Sequence, residues 1–316
     1  MKLDALTLFD SVLSMLVPVL FGVVAFKTKL ITEDFSRVLS RFVLYIAQPM
    51  LLVNSLNSVE CNKENLKTAL LITIASILVH AVAAAVAFLV TKPFKNLSEG
   101  RICEFCMIFS NCGFFGFPLL KTVYGDVGLF WGGVYAIFFN MLTWSYGLYL
   151  LYRANRSIKI NLRKIFLNAA TIPSAVGILF WLFHVKLYPP ILTSMQSIAN
   201  TCTPLSMVVI GIMISKLPLK KLVFDVKPYL SSVIKLVLLP VLVGCLLAIL
   251  GFSADIATFG ALMIALPSAA IAAMFGETHG VAPVLGAQTV GISTLLSIAT
   301  VPLVMQLVSF LIHRLV

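Results

Sequence analysis

The stretch NCGFFGFP, Asn111 to Pro118, lies inside an apolar run from 102 to 121 and breaks its helical continuity. Proline lacks the N–H that an α-helix needs, and its ring clashes with the carbonyl one turn back. Gly113 and Gly116 lower the cost of leaving helical geometry. A second run, 256 to 276, carries a comparable interruption, ALPSAA around Pro267. Each run has about the 20 residues that a helix needs to cross hydrocarbon. In lipid a broken helix is tolerated only where its freed backbone groups face protein or a watery cavity. Two such breaks predict a site near the bilayer midplane, where half-helix N-termini offer unpaired N–H groups and positive dipole ends to an anion.

The rest of the 316-residue chain fits this setting, with 60% hydrophobic and only 11% charged residues, against about a quarter charged in soluble domains. The apolar runs are continuous rather than alternating, which selects helices over a barrel. Ten runs are predicted as spans, near 6–26, 35–55, 68–91, 102–121, 127–152, 166–184, 191–215, 229–251, 256–276 and 283–312. The first is longer than the apolar core of a signal peptide, and Lys27 and Lys29 follow it without a small-residue cleavage pattern. It reads as a retained span.

The net charge of +11 is explained by where the basic residues lie. Most of the 23 Lys and Arg fall in connections after odd-numbered spans, such as Lys92, Lys95 and Arg101, or Arg153, Arg156 and Lys159. The positive-inside rule then places those connections in the cytoplasm of a plasma (inner) membrane and both termini outside. Topology and anionic lipid account for the charge, and no nucleic-acid partner is expected. The basic stretch 153–165 divides the chain into 1–152 and 166–316, with five predicted spans each. Because five is odd, homologous halves would be inverted relative to each other. An offset of 155 residues matches Pro18 with Pro173, Gly22 with Gly177, Pro49 with Pro204 and Gly125 with Gly280.

Around the breaks, Ser110 and Asn111 precede the glycines and Ser268 follows Pro267, while Asn140 and Gln48 lie in neighbouring spans. Such uncharged polar groups serve either a ligand or interhelical hydrogen bonds. The intramembrane ionisable residues are Asp10, His80, Glu104, Lys121, Lys235 and Glu277. Glu104, Lys121 and Glu277 are placed near span ends and Lys235 about one turn inside a cytoplasmic end. His80 is central in its span and, because imidazole titrates near neutrality, is the candidate for proton coupling. A paired mid-span acid motif of the kind a cation exchanger uses is absent. Cys103 and Cys106 form a CxxC without the other ligands of a metal site, so they read as packing residues, and neither metal nor cofactor is expected.

At this point the residues resemble a known family. NCGFFGFPLLKTVYG (Asn111 to Gly125) is similar to the fourth-span motif of the auxin efflux carriers. ALPSAAIAAMFGETHGV (Ala265 to Val281) resembles their ninth span, and TPLSMVVIG (Thr203 to Gly211) and KLVLLP (Lys235 to Pro240) their seventh and eighth. The resemblance implies ten transmembrane helices in two inverted five-helix repeats, with the fourth and ninth helices broken and crossing at the substrate site. It further implies a scaffold made of spans 1, 2, 6 and 7 and a transporter domain made of spans 3–5 and 8–10. Carried over by motif, Asn111, Gly116 and Pro118 form one side of the crossover and Pro267 with Ser268 the other. Asn140 falls where plant members place a polar, ligand-facing residue. Bacterial members include carriers described for malonate and malate, and plant members export indole-3-acetic acid. The long cytoplasmic loop of many plant members is missing here.

The expectation is a secondary transporter that moves a small organic anion by alternating access. One alternative is a sodium-coupled symporter of the bile-acid type, whose Glu-rich and Gln-Asn pattern is not found here. Another is a membrane anion sensor that moves nothing. An enzyme is not expected, since GETHG (Gly276 to Gly280) lacks the H-E-x-x-H spacing of a zinc hydrolase. Membrane lipid is an expected partner. A second copy of the chain stays open as one, because the GxxxG of Gly128 and Gly132 serves helix packing either within or between chains.

Overall fold

A computed structural model describes residues 5–158, 171–216 and 225–316, with side chains from Phe9 onward. The end of the basic linker and the start of the predicted sixth span, 159–170, lie outside the described residues, as do Lys220 and Lys221. Everything described is helical apart from turns and one isolated antiparallel bridge.

In chain order the helices are α1 (Ala5–Lys27), α2 (Glu33–Leu56), α3 (Lys63–Thr91) and α4 (Leu97–Ile108), then α5 (112–124) and α6 (126–154). They continue with α7 (Thr171–Leu182), α8 (Pro189–Ser215), α9 (Val226–Ile249), α10 (Ala254–Ala265), α11 (Ala270–His279) and α12 (Pro283–Leu315). Helices α5 and α6 form a continuous 43-residue apolar segment kinked at Gly125, where φ is +63° and only glycine is unstrained.

Seven described helices are long and apolar enough to cross a membrane. Three of the ten predicted runs are not among them. The fourth run is divided between α4 and α5 at 109–111, before the glycines and Pro118, and the ninth between α10 and α11 at 266–269, around Pro267. The sixth run is described only from Thr171.

Side chains start the helices. Thr32 accepts from Phe35 N–H, Asn62 from Asn65 N–H, Asn96 from Ser98 and Glu99 N–H, and Asp225 from Lys227 N–H. Three helices contain a wide π-turn at the same distance before a proline: Val43–Ala47 before Pro49, Cys112–Gly116 before Pro118, and Ile234–Leu238 before Pro240. The extra residue in the turn absorbs the donor and the space that proline removes, so the helix bends instead of ending.

Large apolar side chains such as Leu20, Phe21 and Val24 on α1 and Leu70, Ile74 and Ile77 on α3 point outward, as lipid-facing surfaces require. The core lies instead around the two breaks, where every residue from Gly100 to Ile108 of α4 and from Ile256 to Ala265 of α10 is buried. Gly128 and Gly132 face the chain's own α5, against Leu120, Tyr124 and Phe117. The GxxxG thus closes the kink between α5 and α6.

Candidate functional site

The two breaks meet. Asn111 N–H donates to Pro267 C=O at 2.8 Å and Ala269 N–H donates to Phe109 C=O at 2.9 Å, pairing Ser110 with Ser268 as a two-residue antiparallel bridge. Each interrupted helix thereby supplies partners for backbone groups that the other has freed, which meets the demand of a low-dielectric interior.

Side chains complete this accounting at the C-terminal end of α4. Cys106 C=O accepts from Ser268 Oγ at 2.9 Å and Met107 C=O from Lys235 Nζ at 3.1 Å. Lys235 also donates to Ser110 Oγ at 2.9 Å, and Ser293 Oγ accepts from Ser268 N–H at 3.0 Å. Lys235 is fully buried. It lies more than two turns into α9, deeper than the single turn its sequence position had implied, because it caps the carbonyl end of a half-helix inside the protein. The sequence carried only a partial signal, an apolar run after the lysine but Ser231 and Ser232 shortly before it.

Where α5 and α11 begin, beside the bridge, a cavity of about 130 Å³ opens. Leu44, Tyr45 and Gln48 of α2 line one side. Ser110, Asn111, Gly113, Phe114, Asn140 and Trp144 line another, and Ala269 to Ile271 with Met274 and Phe275 complete it. Asn111 caps α5 by accepting Phe114 N–H at 3.3 Å, which leaves its amide nitrogen without a partner; the Asn140 amide nitrogen has none either. Gln48 brings its amide nitrogen so close to Gly113 that a β-carbon there would sit 2.7 Å from it. Ala270 and Ile271, in the first turn of α11, have no carbonyl one turn back within their helix to take their N–H groups. Among the described residues no Asp or Glu lines this cavity. The arrangement is therefore rich in donors and suited to an acceptor-bearing, negatively charged group.

A larger cavity of about 560 Å³ shares Leu44, Phe114, Ala270 and Met274 with the first and leads to a mouth carrying Glu33, Arg37, Lys216 and Glu277. At the mouth Lys216 Nζ donates to Glu33 at 2.9 Å.

Of the residues singled out from sequence, Ser110, Asn111, Asn140 and Gln48 come together around the small cavity. Gly116, Pro118, Pro267 and Ser268 do not line it. Gly116 packs under Leu266, where a β-carbon would lie 2.9 Å from its methyl, Pro267 gives its carbonyl to Asn111, and Ser268 turns its hydroxyl to Cys106. His80 is also outside the lining, buried among Phe109, Tyr135, Phe138 and Phe139, with Nδ1 2.7 Å from Ser76 C=O and Nε2 without a partner. Glu104 is paired with Arg101 inside the fold, whereas Lys121 pairs with Asp126 across the Gly125 kink at the surface. Cys103 and Cys106 are buried free thiols.

The profile of a family described as membrane transport protein matches residues 7–305. A protein of Methanothermobacter thermautotrophicus described as an uncharacterized transporter is 24% identical over 303 residues, covering 93% of this chain and 96% of the relative.

Proposed function

The chain belongs to the membrane transport protein family, the auxin efflux carriers, and from that premise we propose that it carries a small organic anion across the membrane by alternating access. The observation that carries this reading is the small cavity where the two breaks meet. Its polar lining consists of the amides of Gln48, Asn111 and Asn140, the hydroxyls of Ser110 and Tyr45, the Trp144 indole and helix N-terminal N–H groups, with no acidic side chain among the described residues. A carboxylate is the group such donors match, and the apolar walls of Phe114, Phe139, Trp144 and Phe275 accept its carbon skeleton.

We read the fold as ten spans in two inverted halves. Symmetric packing supports this. At Gly22 of α1 a β-carbon would strike Val208 C=O of α8, and at Gly177 of α7, 155 residues later, one would strike Leu56 and Val53 of α2. Val53 and Val208 are themselves 155 residues apart. Gly125 and Gly280, matched by the same offset, have φ of +63° and +64°. Helices α1, α2, α7 and α8 then form a scaffold, and α3 to α6 with α9 to α12 a transporter domain. The substrate cavity lies at their seam, since α2 faces the crossover across it.

With basic connections in the cytoplasm, the charged mouth of the larger cavity opens inward, and the arrangement is the inward-facing state in a plasma membrane with both termini outside. The test is flux. Purified protein in liposomes should accumulate labelled malonate, malate or indole-3-acetate under an imposed gradient. Binding of these acids without any flux would make the chain a sensor, and uptake that requires sodium would make it a symporter of the bile-acid type.

A further inference from the structure

Lys235 is an amine buried with no acidic partner among the described residues. The ion pairs among the described residues join Arg37 to Asp34, Arg101 to Glu104, Lys121 to Asp126, Lys216 to Glu33 and Lys227 to Glu99, and none includes it. Its hydrogen bonds go to a neutral carbonyl and a neutral hydroxyl, Met107 C=O and Ser110 Oγ. The dipole at the C-terminal end of α4 offsets only part of a buried charge, because the helix end carries about half an elementary charge.

Ser110 is the link to the cavity. Its oxygen accepts from the ammonium, so its hydroxyl hydrogen remains to be donated elsewhere, and among the described residues no acceptor takes it. Ser110 is fully buried, yet it lines the small cavity beside Asn111. A lysine on one side of the crossover therefore stands one hydroxyl away from the ligand space on the other side. In its protonated form Lys235 also makes that hydroxyl a stronger donor by polarising it.

We propose that Lys235, acting through the Ser110 hydroxyl, is the countercharge of the bound substrate and the residue that sets selectivity for anions over neutral molecules of the same shape. This rests on the carboxylate reading of the cavity. Lys235 is a positioning residue in this role, since Ser110 and not the lysine meets the ligand. The same geometry explains how an anion site exists with no cation in its lining: the charge is held behind the crossover, where the backbone bridge shields it from water entering through the wide mouth.

The experiment compares acids with their neutral amides on full-length protein in detergent. Malonate, malate and indole-3-acetate, and the amide of each, are titrated calorimetrically into wild type, Lys235→Met, Lys235→Arg and Ser110→Ala, with ligand-free melting temperature measured alongside. Wild type should prefer at least one acid over its amide. Lys235→Met should cut that preference by about a hundredfold while leaving amide binding in place, Lys235→Arg should restore most of it, and Ser110→Ala should cost about tenfold. A lysine that only braces α4 would instead lower acid and amide binding together. An unchanged acid-to-amide ratio in folded Lys235→Met overturns the proposal. If that variant does not fold, an unchanged ratio in Ser110→Ala does so. Wild type that binds none of the acids, or prefers the amides, removes the carboxylate reading and this inference with it, whereas acid preference that survives both substitutions removes the role of Lys235 alone.

Discussion

The break between α4 and α5 and the break between α10 and α11 meet in one antiparallel bridge, yet they are finished differently. The first turns side chains toward the cavity: Ser110 and Asn111 line it, and Asn111 also caps α5. The second turns its hydroxyl inward, with Ser268 bonded to Cys106 C=O, and Ala269 at the start of α11 provides no side-chain cap. Behind the breaks the contrast repeats. Lys235 hydrogen-bonds the first break, whereas His80, exactly 155 residues earlier in the chain, bonds the carbonyl of its own helix and rests among aromatic rings. Under the proposed function the two breaks therefore have different tasks: the first faces the ligand space with side chains, and the second holds the crossover together and presents bare helix N–H groups.

That division of labour can be broken by substitution. Asn111→Ala should have the largest effect, since it removes a helix cap and an amide donor at once, about 2–4 kcal/mol in all. Carboxylate affinity measured calorimetrically should fall by a hundredfold or more, and an unchanged affinity would reduce this Asn to a structural cap. Ser268→Ala should act on the other quantity. It strands Cys106 C=O in the interior, so unfolding stability should drop by about 1–3 kcal/mol with affinity nearly intact. Loss of affinity at full stability would erase the distinction between the breaks.

Asn140→Ala should lower affinity about tenfold without lowering the ligand-free melting temperature, because its amide nitrogen has no protein partner to lose. The smallest effect is expected at Gly113→Ala. Its methyl group would displace the flexible Gln48 amide and weaken binding by about threefold, which a competition assay would resolve. A much larger loss would mean that Gln48 has no room to move and contributes more than a rim contact.

Much of this was readable from residue order alone. Pro267 lies in its break and NCGFFGFP begins at the other, seven residues before Pro118, and Asn111, Ser110, Asn140 and Gln48 stood out as polar groups in apolar runs. Three things were not readable. The direction of Ser268 depends on where Cys106 C=O falls in space, on another helix and 162 residues away. The depth of Lys235 depends on whether the side chain points to water or to a helix end, and sequence shows only that it lies in an apolar run. The π-turns were equally hidden, since Pro18 and Pro204 sit in helices without one while Pro49 and Pro240 follow one.

Where α1 crosses α8, glycines replace side chains altogether. A single methyl at Gly22 would come within 2.2 Å of Val208 C=O, and one at Gly211 within 2.0 Å of Val19 C=O. Two helices locked backbone to backbone at both points behave as a fixed rail: they neither slide nor separate without losing their whole contact at once. In the proposed transport cycle this pair is the rail, and the crossover with its bundle is the carriage that passes α2.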